Sequence, residues 1–196
     1  MKLDIFLVGV GGQGILTIGE LISEAASRQS IAVNFFPTRG MAQRGGFVKA
    51  QLRLGREVVG PIIHEKGADM VVAMEISETL KAIRYIKEGG EVVLFGERWE
   101  PTAVMLKKAP YPAIEEVKQQ VFKAGARLIY LDPQQLPLYD HQPVAPNLYI
   151  LGALMRHTGL KEILTIQGCE EAIVSHWKHG AEANLFAFQA GLQAKV

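Results

Sequence analysis

A glycine-rich turn near the N-terminus is the first feature of the sequence that could bind a ligand. The spacing Gly-x-Gly-x-x-Gly follows a short apolar run over residues 3–8 and precedes a helical pattern over residues 15–28. Glycines let a backbone approach an anion closely, and the N–H groups of a helix N-terminus attract negative charge. The pattern favours phosphate or dinucleotide binding, although a tight strand-to-helix crossover also needs small residues. The residues of this glycine loop are Gly9, Gly11, Gly12, Gln13 and Gly14.

The rest of a dinucleotide-binding fingerprint is missing from the sequence. An acidic side chain is expected at the end of the second strand, where it binds the ribose. The second predicted strand, residues 31–36, is followed by Pro37, Thr38 and Arg39, with no Asp or Glu. Arg39 could hold a 2′-phosphate instead, but one arginine alone does not make a fingerprint. Independent nicotinamide binding is therefore disfavoured.

A second candidate is the loop of residues 38–46, which combines two arginines with three glycines directly after a strand. Ligands of open α/β sheets bind at the carboxyl ends of the strands, and a guanidinium forms paired hydrogen bonds with carboxylate or phosphate. A mobile surface loop is the alternative, but the glycines indicate a fixed backbone. The candidate residues are Thr38, Arg39, Gly40, Arg44, Gly45 and Gly46.

A third candidate is Glu75, which follows a buried strand predicted over residues 69–74. A carboxylate at the carboxyl end of a strand could reach the same crevice as the glycine loop. A solvated strand end, or a salt bridge to Arg39 or Arg44, explains this residue equally well.

The remaining reactive side chains do not assemble into a catalytic or metal site. His176 and His179 are spaced to share one face of a helix, but no third metal ligand presents itself. Cys169 is followed by two glutamates, so an activated thiolate is not expected. The sequence has neither a nucleophile elbow nor a P-loop lysine motif. We therefore assign no catalytic residue and no metal ligand, and we expect the isolated chain to be inactive.

The composition excludes several classes of function. The 196 residues include 21 Lys and Arg and 20 Asp and Glu, so the net charge of +1 offers no overall attraction to nucleic acid or an anionic membrane. A single cysteine cannot form an internal disulfide or hold an iron–sulfur cluster, which needs about four thiolates. Low cysteine content fits a reducing cytoplasm, and no apolar stretch is long enough to span a membrane. We therefore expect a cytoplasmic protein.

The order of the predicted elements indicates the fold. Strands alternate with helices, which predicts an α/β, Rossmann-like doubly wound fold with a mainly parallel sheet. Residues 47–54 differ, because apolar and polar side chains alternate there as in an antiparallel or edge strand. We predict an inserted β-hairpin in which Gly55 and Arg56 turn this strand towards residues 57–59. The C-terminal helices are expected to cover one face or edge of the sheet, and we predict a single domain over residues 1–196.

The two loops resemble those of a known family, the gamma-type subunits of 2-oxoacid:ferredoxin oxidoreductases. The resemblance is strongest to the branch of the small, beta subunit of indolepyruvate ferredoxin oxidoreductase. The shared stretches are Gly-Val-Gly-Gly-Gln-Gly over residues 9–14 and Pro-Thr-Arg-Gly-Met-Ala-Gln-Arg-Gly-Gly over residues 37–46. The resemblance continues through residues 50–53, 60–61 and 67–75. In the second half only the length and the helix at Asn147 agree.

The resemblance implies that the chain is a cluster-free small subunit of a larger enzyme. That enzyme oxidatively decarboxylates a 2-oxoacid, in this branch an aryl pyruvate such as indolepyruvate, to an acyl-CoA with ferredoxin as the electron acceptor. Thiamine diphosphate, magnesium and iron–sulfur clusters are then expected on the large partner subunit, and coenzyme A in the complex. This chain would bind no cofactor alone, while its two loops and Glu75 would face the active-site region.

Two other classes of function stay open. A free-standing NAD(P)- or flavin-dependent oxidoreductase would retain its cofactor when the chain is purified alone. A non-catalytic interaction module would bind a protein partner without changing that partner's turnover.

Overall fold

A six-stranded sheet forms the centre of the computed structural model, which describes residues 1–38, 46–57, 59–100, 102–108 and 110–196, with residues 102 and 103 described by their backbone only. The strands are β1 (Leu3–Val10), β2 (Val33–Pro37), β3 (Phe47–Leu54), β4 (Ala68–Ala73), β5 (Ile86–Phe95) and β6 (Arg127–Leu131). Their order across the sheet is β2-β3-β1-β4-β5-β6. The four strands β1, β4, β5 and β6 are parallel, whereas β3 is antiparallel to both of its neighbours. The predicted mainly parallel, doubly wound α/β sheet is therefore confirmed.

The helices connect the strands and continue beyond the last one. They are α1 (Ile15–Arg28), α2 (Ile76–Ala82), α3 (Thr102–Met105), α4 (Ile114–Lys123), α5 (Pro146–His157), α6 (Ile166–His176) and α7 (Ala181–Gly191). A small hairpin of β7 (Leu138–Tyr139) and β8 (Gln142–Pro143) precedes α5. No helix in the described ranges is long and apolar enough to cross a membrane.

Each face of the sheet carries its own hydrophobic core, because the parallel strands are apolar on both sides. Ile5 and Leu7 of β1 share one core with α1, α5, α6 and α7. Phe6 and Val8 point to the opposite face, where they share a core with α2 and α4. The C-terminal helices thus cover one face of the sheet, as predicted. The buried stripe of α1 contains all the predicted residues, together with Gly19; the predicted residues are Ile15, Ile18, Leu21, Ile22, Ala25 and Ala26.

An antiparallel hairpin is inserted in the sheet, but it consists of β2 and β3, so the predicted partner strand of β3 is wrong. The alternation in β3 does reflect one buried face, yet β3 pairs with β2 and β1, and neither Glu57 nor Val59 lies in a strand. The reason is a contact between distant parts of the chain. Asp4 of β1 is buried and forms ion pairs with Arg53 and Arg56, which fixes the end of β3 beside β1. As a result, β3 lies between β1 and β2, which are adjacent in a dinucleotide-binding sheet.

Candidate functional site

The carboxyl ends of β1 and β4 lie side by side where the sheet changes its winding direction. The chain leaves β1 through α1 on one face and leaves β4 through α2 on the other. Open α/β sheets bind their ligands at such a switch point. The glycine loop follows β1, and Met74 and Glu75 follow β4, so the structure brings the predicted loop and Glu75 to one edge of the sheet.

The side chain of Gln13 bridges the two strands at this switch point. Its Oε1 accepts a hydrogen bond from the backbone N–H of Val10 at 2.7 Å, and its Nε2 donates to the carbonyl of Met74 at 2.9 Å. The same Nε2 donates to the carboxylate of Glu97 at 2.7 Å. Gly9 leaves room for this arrangement, because a Cβ there would stand 2.9 Å from Gln13 Oε1. Gln13 therefore connects the ends of β1 and β4 with the segment that follows β5.

The remaining glycines shape the start of α1. Gly14 precedes the helix in the left-handed conformation (φ 79°), and a Cβ there would stand 2.5 Å from the amide nitrogen of Asn147. That nitrogen donates to the carbonyl of Gly14 at 3.4 Å. Gly12 also has a positive φ of 105°, but a Cβ there would face open space. Because an L side chain rarely adopts such a φ, both positions favour glycine for backbone reasons alone.

The loop of residues 38–46 starts beside β3 and ends beside the glycine loop. The N–H of Thr38 donates to the carbonyl of Lys49 at 3.0 Å, which extends the pairing of β2 with β3. The carbonyl of Gly46 accepts a hydrogen bond from the N–H of Gly11 at 2.9 Å. The two loops are therefore neighbours at this edge. Four predicted residues, Arg39, Gly40, Arg44 and Gly45, lie outside the described residues, and their roles stay predictions.

Glu75 is fully buried (0% exposed), so it is not a solvated strand end. Its carboxylate caps α2 by accepting from the N–H of Glu78 at 2.9 Å, and it accepts from the hydroxyl of Ser77 at 2.6 Å. It also accepts from the N–H of Trp99 at 3.2 Å and from the hydroxyl of Tyr111. Burial, and then the bond to Glu75, raises the pKa of Tyr111, so this phenol remains a hydrogen-bond donor. Glu75 thus acts as an anchor for neighbouring segments.

Sequence reasoning missed Glu97, Tyr111 and Asn147 as parts of this edge. Glu97 stands two residues after β5 ends, so the rule that selected Glu75 could have selected Glu97 as well. Tyr111 and Asn147 reach the edge from distant parts of the chain. No local pattern marks either residue.

The other reactive side chains do not form a site. α6 ends at His176, so His179 lies beyond the helix and the predicted shared face is wrong. Cys169 is buried, and burial followed by the charge of Glu170 raises the pKa of its thiol to about 12. Within the described ranges, no group of three or more His, Cys, Asp or Glu side chains is placed to hold a metal ion.

Comparison with known proteins agrees with this fold. The family model "Pyruvate ferredoxin/flavodoxin oxidoreductase" matches residues 4–194. The indolepyruvate oxidoreductase subunit IorB of Archaeoglobus fulgidus is 33% identical over 197 residues, which cover 100% of this chain and 96% of that protein.

Solved structures show the same fold at lower identity. The pyruvate oxidoreductase subunit PORC of Thermotoga maritima has a TM-score of 0.73 and 22% identity, covering 98% of this chain and 96% of that one. The 2-oxoglutarate:ferredoxin oxidoreductase of Magnetococcus marinus has a TM-score of 0.69 and 20% identity, covering 98% of this chain but 30% of that longer chain. With a family match over nearly its whole length and a relative of 33% identity, this chain belongs to the pyruvate ferredoxin/flavodoxin oxidoreductase family.

Proposed function

We propose that this chain is the small subunit of a 2-oxoacid:ferredoxin oxidoreductase that acts on aryl pyruvates, with indolepyruvate as the expected substrate. The observation that supports the substrate class is the 33% identity to a subunit named for indolepyruvate, over 100% of this chain and 96% of that protein. The reaction removes CO₂ from the 2-oxoacid, transfers the acyl group to coenzyme A and passes two electrons to ferredoxin.

The chemistry of this reaction belongs to cofactors that this chain does not fit. Thiamine diphosphate and iron–sulfur clusters supply the carbanion and electron-transfer steps in such enzymes. A cluster needs about four thiolates, whereas this chain has one cysteine and that cysteine is buried. We therefore assign thiamine diphosphate, magnesium and the clusters to a large partner subunit, and ferredoxin to the assembled complex.

The role of this chain follows from the edge formed by its two loops. The hydrogen bond from Gly11 to Gly46 places the carboxyl-terminal end of the 38–46 loop next to the glycine loop. We infer that this edge faces the active-site region of the partner subunit. Arg39 and Arg44 then offer guanidinium groups to the carboxylate of the 2-oxoacid or to the phosphates of coenzyme A.

The structure argues against the free-standing NAD(P)- or flavin-dependent alternative. Gln13 bridges the strand ends at the switch point, and the carboxylate of Glu97 beside it would repel a phosphate. In addition, β3 separates β2 from β1, so the second strand does not end where a ribose would lie. The glycine loop is better explained as part of a protein contact.

Co-expression with the large subunit tests the proposal. The complex should reduce ferredoxin with indolepyruvate or phenylpyruvate at a kcat/KM at least tenfold above that with pyruvate or 2-oxoglutarate. Arg44→Ala should lower turnover tenfold or more without changing the melting temperature of the chain. Arg28→Ala is the matched control, because Arg28 is an exposed arginine of α1 paired with Glu24.

The kinetic pattern of Arg44→Ala separates the two anions. A raised KM for coenzyme A assigns the guanidinium to its phosphates, and a raised KM for the 2-oxoacid assigns it to the carboxylate. Unchanged turnover in both Arg39→Ala and Arg44→Ala would contradict the proposed role of the loop. A preference for pyruvate would contradict the substrate class.

A further inference from the structure

Exposed apolar side chains gather in a short stretch beyond β5. Trp99 is 43% exposed, Met105 68% and Leu106 59%. Two exposed lysines, Lys107 and Lys108, follow directly. A concentration of large apolar groups on the surface of a folded chain marks an interaction site when the segment that carries it is held in place.

Hydrogen bonds to neighbouring segments hold the start of this stretch in place. The carbonyl of Glu97 accepts a hydrogen bond from the N–H of Ile76 at 3.1 Å, and its carboxylate accepts from Gln13 at 2.7 Å. The N–H of Trp99 donates to the carboxylate of Glu75. Residues 97–99 are therefore fixed between the glycine loop and the start of α2, and the stretch continues the edge formed by the two loops.

The segment beyond the far end of the stretch is also hydrogen-bonded to the carboxylate of Glu75. The hydroxyl of Tyr111 donates to Glu75, and the guanidinium of Arg98 lies 4.5 Å from the centre of the Tyr111 ring. Burying a carboxylate is costly unless hydrogen bonds replace its water. Glu75 has four donors, and it forms no ion pair with a described Lys or Arg. The buried carboxylate of Glu75 is therefore hydrogen-bonded to segments on both sides of the exposed Met105 and Leu106.

We propose that the described residues 98–100 and 104–108, named here the docking stretch, bind an apolar pocket rimmed by carboxylates on the large partner subunit, and that Glu75 is the positioning residue for this contact. The inference rests on the proposed function, because it needs that partner. Its charge argument is that Glu100 neutralises Arg98 through an ion pair of 2.5 Å, whereas Lys107 and Lys108 leave the outer part of the stretch positive. A carboxylate rim complements that charge.

Binding of the purified large subunit to surface-attached chain tests the docking stretch directly. Trp99→Ala and Leu106→Ser should each raise Kd at least tenfold, because exposed aromatic and aliphatic anchors dominate such contacts. Lys107→Glu combined with Lys108→Glu should weaken binding and reduce its dependence on salt. The matched control is Phe122→Ser on α4, since Phe122 is a large apolar side chain that is 82% exposed away from this stretch.

Limited proteolysis tests the positioning role of Glu75. Trypsin should cleave after Lys107 or Lys108 at least fivefold faster in Glu75→Gln than in the wild type, and added large subunit should protect the wild type. Tyr111→Phe removes a single donor to Glu75 and serves as a milder variant if Glu75→Gln does not fold. Unchanged cleavage in both variants would overturn the positioning role.

The outcomes separate this inference from the proposed function. A wild-type chain that does not bind the large subunit contradicts the proposed function itself. Normal binding by Trp99→Ala and Leu106→Ser, with wild-type binding intact, overturns the docking stretch alone. A wild-type chain that is a dimer in solution, with Leu106→Ser monomeric and partner binding unchanged, assigns the stretch to a second copy and also overturns the inference.

Discussion

Replacing Gln13 by alanine should lower the free energy of unfolding of the chain, because Gln13 connects the strand ends at the switch point. Gln13→Ala removes three hydrogen bonds and leaves the buried N–H of Val10 and the carbonyl of buried Met74 without these partners. A buried donor left unsatisfied costs about 1–3 kcal/mol, and a lost neutral hydrogen bond costs about 1 kcal/mol. Glu97 is half-exposed, so water replaces much of its lost bond. The free energy of unfolding should therefore fall by about 2–4 kcal/mol.

Thermal unfolding of the isolated chain measures this loss. For a chain of this length, each kcal/mol shifts the melting temperature by about 2–4 °C, so Gln13→Ala should melt roughly 4–16 °C below the wild type. The control is Gln119→Ala, because Gln119 is an exposed glutamine on α4. A melting temperature of Gln13→Ala equal to that of the control would refute the bridging role of Gln13.

A charged variant gives a second and sharper test of the same geometry. Gln13→Glu keeps an acceptor for Val10 but turns a carboxylate towards Glu97 and the carbonyl of Met74. This repulsion raises the pKa of the introduced carboxyl in the folded state above its unfolded value. The folded state then binds more protons, so the stability of Gln13→Glu should rise as the pH falls from about 8 to about 5. Gln13→Ala should show no such recovery, and equal pH profiles for the two variants would contradict the contact between Gln13 and Glu97.

Three further changes test other parts of the structure. Gly152→Ala should destabilise the chain by about 1–3 kcal/mol through overpacking of α5 against α7, because its Cβ would overlap the backbone of α7, whereas Gly60→Ala, with no neighbour for a Cβ, should be neutral in calorimetry. Cys169 should resist thiol reagents at pH 8 in the folded chain and react after denaturation, since burial raises the pKa of its thiol to about 12. Burial raises the pKa of Glu78 despite its ion pair with Lys81, so Glu78→Gln should raise the melting temperature at pH 7–8, and this gain should vanish at about pH 4, where the wild-type carboxyl is protonated too.

The elements that could be predicted from the sequence are those specified by local periodicity. The buried stripe of α1 and the alternation of β3 follow from spacings of three to four and of two residues, which a single segment displays by itself. The glycine loop was placed correctly because strand, glycines and helix are consecutive. The pairing of β3 could not be predicted from the sequence, because it depends on Asp4 binding Arg53 and Arg56 across the sheet.

In the candidate site, too, contacts between distant segments could not be predicted from the sequence. The sequence predicts that Glu75 and Gln13 lie at the same edge of the sheet, and the structure places them there. Their partners come from separate segments: Gln13 binds Met74 and Glu97, and Glu75 binds Tyr111. These contacts change what the residues do. Gln13 bridges the strand ends at the switch point, and Glu75 anchors neighbouring segments and is closed off from solvent.

The turnover of the large subunit with and without this chain tests the central claim most directly. The large subunit is purified alone, its iron and thiamine diphosphate are quantified, and ferredoxin reduction with indolepyruvate and coenzyme A is followed as this chain is added. We expect the rate to rise at least tenfold and to saturate as the complex forms. Full turnover without this chain would contradict its role as a required subunit, and so would a chain that purifies alone carrying a nicotinamide or flavin.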